Sequence, residues 1–226
     1  MSVQLPLGIT LRPRVDFSSY IPGRNAEAVA RLRQAQDPFI YLWGGPGCGK
    51  SHLLQAVCRQ QSKLEDRCTY VPLLKIAELQ PVMLEGLEDL DLVCLDDLEQ
   101  LAGMEGWELA LFNLFNQLRE RHARLLVTAH LPPARLPIRL PDLASRLTWG
   151  PCYHLSMLDD DGRLELLIRH ARQRGLELSS DTAGYLLQRI PRDIHHLVGV
   201  IEQLDAASLA AQRRLTTPFV RKVLGL

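Results

Sequence analysis

A parallel-sheet α/β domain followed by a smaller all-helical unit is the fold class this sequence predicts. Three observations predict it. Short apolar runs of strand length alternate with segments of helical period as far as residue 157. The first of those runs leads directly into a glycine-rich loop and then a helix. From Asp159 onward the apolar residues recur only at helical spacing. Alternating β and α units build parallel sheets, and a terminal run of helices builds a separate layer or lid. The 226 residues give length for one such domain and a small appendage.

The elements follow in order. Met1–Arg14 is apolar and Pro-containing, without helical period, and reads as a tail. Val15–Asn25 is a turn-rich entry carrying Phe17, Tyr20, Pro22 and Gly23, and Ala26–Ala35 reads as a helix. Phe39–Trp43 is a continuous apolar run, as expected of a buried strand, and Lys50–Gln61 is a helix with Leu53, Leu54, Val57 and Cys58 on one face. Strands are expected at Cys68–Leu73, Asp91–Leu95, Arg124–Thr128 and Tyr153–Leu155. Helices are expected near Ala77–Glu85, at Trp107–Arg121 with a stripe of Leu111, Leu114, Phe115 and Leu118, and through Leu147 with Asp142 as its cap. The helical end divides into Asp160–Arg174, Ser180–Arg189, Arg192–Gln212 and Pro218–Val223, the last capped by Thr217 with Pro218 at its first position.

Gly44-Gly45-Pro46-Gly47-Cys48-Gly49-Lys50-Ser51 matches G-x-x-x-x-G-K-[ST], the phosphate-cradling P-loop, in the strand–loop–helix context the motif requires. Glycines let the backbone wrap closely and aim N–H groups at phosphate oxygens. Lys50 supplies a charge for the β- or γ-phosphate, and Ser51 a hydroxyl for Mg²⁺. The following helix points its positive end at the anion. Leu92-Val93-Cys94-Leu95 ends in Asp96-Asp97. Asp96 suits the outer coordination shell of a Mg²⁺ held with nucleotide, and Asp97 suits a water-orienting role.

Composition excludes several classes. Lys+Arg and Asp+Glu are 26 each, a balance that argues against a dedicated nucleic-acid binder and against sequence-specific DNA binding. No run of 18 apolar residues is present for a membrane span, and no secretory signal opens the chain, so a cytoplasmic protein is expected. The five cysteines have no C-x-x-C spacing and read as free thiols in a reducing compartment, with zinc disfavoured. Cys48 sits at a helix N-terminus, where a thiol pKa can fall, but it reads as a small neutral loop residue in preference to a redox switch. His195 and His196 are adjacent on a helix and cannot form an i, i+4 metal pair. Asp159-Asp160-Asp161 reads as a helix-cap cluster.

Taken together, the chain resembles the AAA+ ATPases of the bacterial DnaA replication-initiator family. The residues carrying the likeness are the P-loop with Ser51-His52-Leu53-Leu54, the Asp96-Asp97 pair, Leu125-Leu126-Val127-Thr128, Pro141-Asp142-Leu143-Ala144-Ser145-Arg146-Leu147, and Arg192-Asp193. It covers essentially the whole chain. Pro141–Trp149 and Gln4-Leu5-Pro6-Leu7 resemble the branch of the family that inactivates the initiator.

The resemblance implies an AAA+ P-loop domain with a five-stranded parallel sheet and a helical lid. It implies a tail at 1–14, the nucleotide-binding domain at 15–157 and the lid at 158–226. It implies that Gly45, Pro46, Gly47, Cys48, Gly49, Lys50, Ser51 and His52 hold ADP or ATP, with Tyr20 and Asn25, and Phe17 and Gly23 beside them, at the adenine. Ser51 and Asp96 would hold Mg²⁺ with the nucleotide, and Asp97 would be catalytic. Arg192 matches the lid residue called sensor 2. Arg146 matches the arginine finger that acts in trans on a partner's nucleotide, a task suited to a permanent charge and a rigid donor fork. Gln4, Leu5 and Leu7 resemble a docking motif for the DNA polymerase sliding clamp. The implied partners are therefore DnaA and the clamp, and self-association is left open. The implied function is inactivation of DnaA by stimulated hydrolysis of its ATP.

Two departures stand against the pattern. The sensor 1 position reads Thr128-Ala129-His130 where a polar or acidic residue is usual, and no helix-turn-helix DNA-binding domain follows the lid. An autonomous ATPase or small-molecule kinase, and a helicase loader, are the rival readings.

Overall fold

The computed structural model describes residues 15–211 and 214–226; the tail at 1–14, with Gln4, Leu5 and Leu7, lies outside the described residues. The chain divides into two units. One contains Asn25–Ser156 and the residues up to Tyr20; the other contains Ile21–Arg24 and Met157–Leu226.

The first unit is built on five strands, β1 (Phe39–Trp43), β2 (Cys68–Pro72), β3 (Leu92–Asp96), β4 (Arg124–Ala129) and β5 (Cys152–His154). They pair in the order β2-β3-β4-β1-β5, every pair parallel. Apolar side chains alternate between the two faces. Tyr41, Val93, Leu95, Leu125 and Val127 join one core cluster, with Leu111, Leu114, Phe115 and Leu118 of α3 (Glu105–Glu120). Ile40, Leu42, Leu92, Cys94 and Leu126 join another, with residues of α1 (Ala26–Gln34) and α2 (Lys50–Ser62). Cover on both faces is why β1, β3 and β4 read as continuous apolar runs.

One expected helix is absent. The stretch expected to be helical near Ala77–Glu85 is instead a series of 3-10 turns, Leu73–Glu78, Pro81–Leu84 and Leu87–Asp89. Pro81 lacks an N–H and Gly86 takes φ 84°, so no α-helix propagates through either. Two caps also shift by a residue or two. α4 spans Pro141–Arg146 with Leu140 at its N-cap, so Asp142 lies inside the first turn. α8 spans Thr217–Leu224 with Thr216, not Thr217, at its N-cap.

The second unit contains α5 (Asp160–Gln173), α6 (Ser180–Leu187), α7 (Ile194–Ala211) and α8 around a core that includes Leu167, Leu186, Leu197, Ile201, Leu204 and Val220. Asp159 caps α5, accepting a 3.0 Å bond from the Gly162 N–H, and Ser179 caps α6 through the Thr182 N–H at 3.2 Å. Among the described residues no helix is long and apolar enough to cross a membrane.

Candidate nucleotide-binding site

Neighbouring strands β3, β4 and β1 bring their C-terminal ends together, the edge at which open parallel sheets bind ligands. The loop after β1 begins there, with the Gly44 N–H donating to the Ala129 carbonyl at the end of β4 (3.2 Å). Gly49 takes φ 92°, and a Cβ there would meet the Tyr20 ring at 2.5 Å, so only glycine fits. At Gly45 and Gly47 an added Cβ would meet nothing within 4 Å, so the loop is open there. Lys50 opens α2 and is only 5% exposed. Its ammonium donates to the Gly44 and Gly45 carbonyl oxygens at 2.7 and 3.2 Å. The cation thus sits on the loop itself, satisfied by neutral acceptors that an anion can replace.

Tyr20 lies against this loop. Its hydroxyl donates to the Cys48 carbonyl at 3.2 Å and accepts from Asn25 Nδ2 at 3.0 Å, and its ring stands 5.4 Å from that of His52. Burial pushes the Tyr20 phenol up to about 12, so it is a neutral donor. Asn25 also donates to the Ser156 carbonyl (2.9 Å) and accepts from the Ser156 N–H (2.8 Å). His52 Nε2 donates to the Asp16 carbonyl at 3.0 Å, and burial depresses its pKa. The structure thus gathers Tyr20, Asn25, His52 and the loop. Phe17 joins the same core cluster as Tyr20. Gly23 and Arg192 belong to the other unit, where Arg192 is ion-paired with Asp160 at 3.1 Å and precedes α7 instead of opening it. The Cys48 thiol is raised by burial, in keeping with a small neutral residue in the loop: desolvation of the thiolate exceeds the attraction of Lys50.

Asp96 is 1% exposed at the end of β3. The Thr128 hydroxyl donates to its Oδ1 and the Tyr70 hydroxyl to its Oδ2, the latter at 2.6 Å. Thr128 in turn accepts from the Asp97 N–H at 3.1 Å, so one hydroxyl ties the two acidic residues to β4. Tyr70 has no role legible in the sequence, and Thr128 figures there only in the run at the sensor 1 position. A polar residue closing the apolar run Leu125–Val127 was the available signal for Thr128. With both oxygens of Asp96 already accepting, its carboxylate suits a cation reached through water.

Asp97 is in the left-handed region at φ 62°. Asp97, Glu99 and His130 each bring a ligand atom within 4.8 Å of the others, and His130 Nδ1 lies 2.8 Å from Glu99. His130, at the sensor 1 position, is thus engaged by Glu99. Burial, then the charges of Asp96 and Glu99, push the Asp97 carboxyl up to about 6 despite Lys50 and His130. Folding therefore disfavours its ionised form. Stability contributed by the protonated group is full below about pH 4 and is lost as pH rises through about 6. Asp97→Asn keeps a side chain that tolerates positive φ. We expect it to melt above the nucleotide-free wild type at pH 7.5 and level with it below about pH 4. Equal melting temperatures at both pH values would show that Asp97 ionises without cost.

Arg146 ends α4 in the same unit. Leu143 and Leu147 bury α4 in the α3-side core cluster, and Arg146 stays half-buried outside it. The loop leading in is held by Glu108 of α3, also missed in the sequence. Its buried carboxylate accepts from the backbone N–H groups of Gly103 (2.6 Å), Arg139 (2.9 Å) and Leu140 (2.8 Å).

The comparisons agree with this fold. Residues 11–153 match the profile of the bacterial DnaA ATPase domain, and residues 160–224 match that of the Hda lid domain. Domain III of the Thermotoga maritima replication initiation protein DnaA superposes with a TM-score of 0.79 at 20% identity, over 96% of this chain and 98% of that one. AMPPCP-bound DnaA from Aquifex aeolicus gives 0.73 at 25% identity, over 88% and 67%. The Thermotoga maritima RuvB Holliday junction branch migration motor gives 0.70 at 17%, over 95% and 72%, a likeness of fold. A match over more than half its length, on a parallel sheet with a P-loop at its C-terminal edge, places this chain in the bacterial DnaA ATPase-domain family of AAA+ proteins, with a lid of the Hda type.

Proposed function

We propose that this chain is a regulator of DnaA: it holds an adenine nucleotide and supplies Arg146 to stimulate hydrolysis of ATP bound by DnaA. The observation that carries the reading is Arg146 itself, a cation without a carboxylate partner among the described residues, at the end of a short helix in a DnaA-family chain. An arginine there is free to serve another molecule's phosphates.

In this reading the tail at 1–14 docks on the DNA-loaded sliding clamp, 15–157 holds nucleotide and 158–226 is the lid. A DnaA relative solved with AMPPCP supports adenine nucleotide as the ligand. Lys50 exchanges its two carbonyl acceptors for phosphate oxygens, Gly45–Ser51 wrap them, and Tyr20, Asn25 and His52 support the loop. Arg192, which matches sensor 2, is the lid's contribution to nucleotide binding. Mg²⁺, when bound with nucleotide, would be held by Ser51 and, through water, by Asp96, and would neutralise phosphate charge. ADP is the resting ligand, and the site of action is the cytoplasm.

Lys50→Ala should weaken ADP binding at least about tenfold, since charge-assisted contacts are worth roughly 1.5–3 kcal/mol each. Calorimetry giving unchanged affinity would remove the phosphate assignment. The function as a whole is tested by the decay of DnaA-bound ATP with and without this protein, clamp and DNA. Decay faster only when all are present supports it. Turnover of ATP by this protein alone, with no effect on DnaA, returns the autonomous-ATPase reading.

A further inference from the structure

Arg146 stacks on an aromatic ring, as Arg33, Arg119 and Arg189 also do. Its guanidinium carbon lies 3.9 Å from the ring centroid of Trp149. Other arginines meet a carboxylate: Arg31 meets Asp37, Arg163 meets Asp160, Arg174 meets Glu202 and Arg192 meets Asp160. Arg146 meets an aromatic face, and among the described residues no carboxylate pairs with it.

The ring is itself held in place. The chain leaves α4 through a closed turn, in which the Thr148 and Trp149 N–H groups donate to the Ser145 and Arg146 carbonyls at 3.2 and 3.1 Å. The next residue, Gly150, passes so close to β1 that an added Cβ would lie 2.5 Å from the Phe39 carbonyl oxygen. Phe115 meets the indole edge-on, with centroids 6.4 Å apart, and the Arg119 guanidinium lies 4.5 Å from its centroid. These contacts come from α3, the helix whose Glu108 also fixes the loop into α4. Even so, Trp149 remains 53% exposed, more than a large aromatic held only for packing needs.

We propose that Trp149 is the positioning residue of the Arg146 finger. The inference rests on the trans-acting role proposed above for Arg146. A salt bridge would consume the in-plane N–H donors of the guanidinium, whereas stacking uses its face and leaves the donor fork pointing outward. The ring also restricts a long side chain before it meets a partner, so less rotamer freedom is lost on docking. Arg119 beside the same ring adds a second permanent cation, which favours approach of a polyphosphate.

The experiment is stimulated hydrolysis of DnaA-bound ATP, titrated with this protein in the presence of clamp and DNA. Trp149→Leu should lower the maximal rate by about 3- to 30-fold with the half-saturating concentration little changed, and Trp149→Phe should stay within about 3-fold of wild type. A lost packing contact alone would not be rescued by the smaller aromatic in preference to an aliphatic. Should Trp149→Leu fail to bind ADP as a check of folding, Trp149→Met carries the same expectation. Arg146→Ala is run alongside. If Arg146→Ala abolishes stimulation while the aliphatic variants keep the wild-type maximal rate, the positioning role of Trp149 is overturned and the finger stands. If Arg146→Ala itself retains stimulation, the finger falls, and Trp149 with it.

Discussion

Arg146→Ala is expected to lose nearly all stimulation of DnaA-bound ATP hydrolysis while its own ADP binding stays near wild type. Supplied arginine fingers are worth about 10³–10⁵ in rate, because a fixed cation meets charge that develops only in the transition state. The structure gives reasons for the second half of the expectation. α4 is anchored by Leu143 and Leu147, both fully buried, and by backbone bonds that the Arg146 side chain does not share. The contact deleted is one half-exposed stack, worth about 0.5–1 kcal/mol. Lys50 and its carbonyl partners, Tyr20 and Asn25 make no contact with Arg146 in the hydrogen bonds described. Arg146→Lys should rescue little, because an ammonium lacks the planar fork. The measurement is conversion of DnaA-bound ATP to ADP with clamp and DNA present. Wild-type stimulation by Arg146→Ala would show that the finger lies elsewhere.

What the sequence could and could not reveal follows from how each feature is encoded. Strands β1, β3 and β4 were legible because each is buried on both faces and reads as an apolar run. The P-loop was legible because its glycines are demanded locally, as the φ of 92° at Gly49 shows. The stretch after β2 misled because Leu73, Ile76, Leu84 and Leu87 are all buried, yet Pro81 and Gly86 divide them among separate turns. Tyr70 and Thr128 were not legible as partners of Asp96. Their roles depend on β2 and β4 flanking β3, and strand order is a property of the whole sheet. Glu108 was closer to legible. It lies on the same helical face as Leu111, Phe115 and Leu118, where a carboxylate must find partners or cost stability. Trp149 is set by the turn after α4 and by α3 together, which no local pattern encodes.

Replacing both Leu5 and Leu7 with Ala is expected to abolish clamp binding and leave ADP binding intact. In the proposed docking mode both leucines enter an apolar groove on the clamp, while Gln4 makes hydrogen bonds at its rim. Burying one leucine is worth about 1.5–3 kcal/mol, so the pair accounts for roughly 3–6 kcal/mol, or about 10²–10⁴ in affinity. Few short-motif interactions survive such a loss. Lys50, Tyr20, Asn25 and His52 are held by Gly44, Gly45, Cys48, Ser156 and Asp16 within the described residues. ADP affinity measured by calorimetry is therefore the control, and clamp retention in a pull-down is the readout. Loss of clamp with ADP affinity unchanged locates docking in the tail, and should carry with it the loss of clamp-dependent DnaA stimulation even though Arg146 is intact. A double variant that still retains clamp would place the docking surface on the folded units, and the tail would then have no part in bringing Arg146 to its partner.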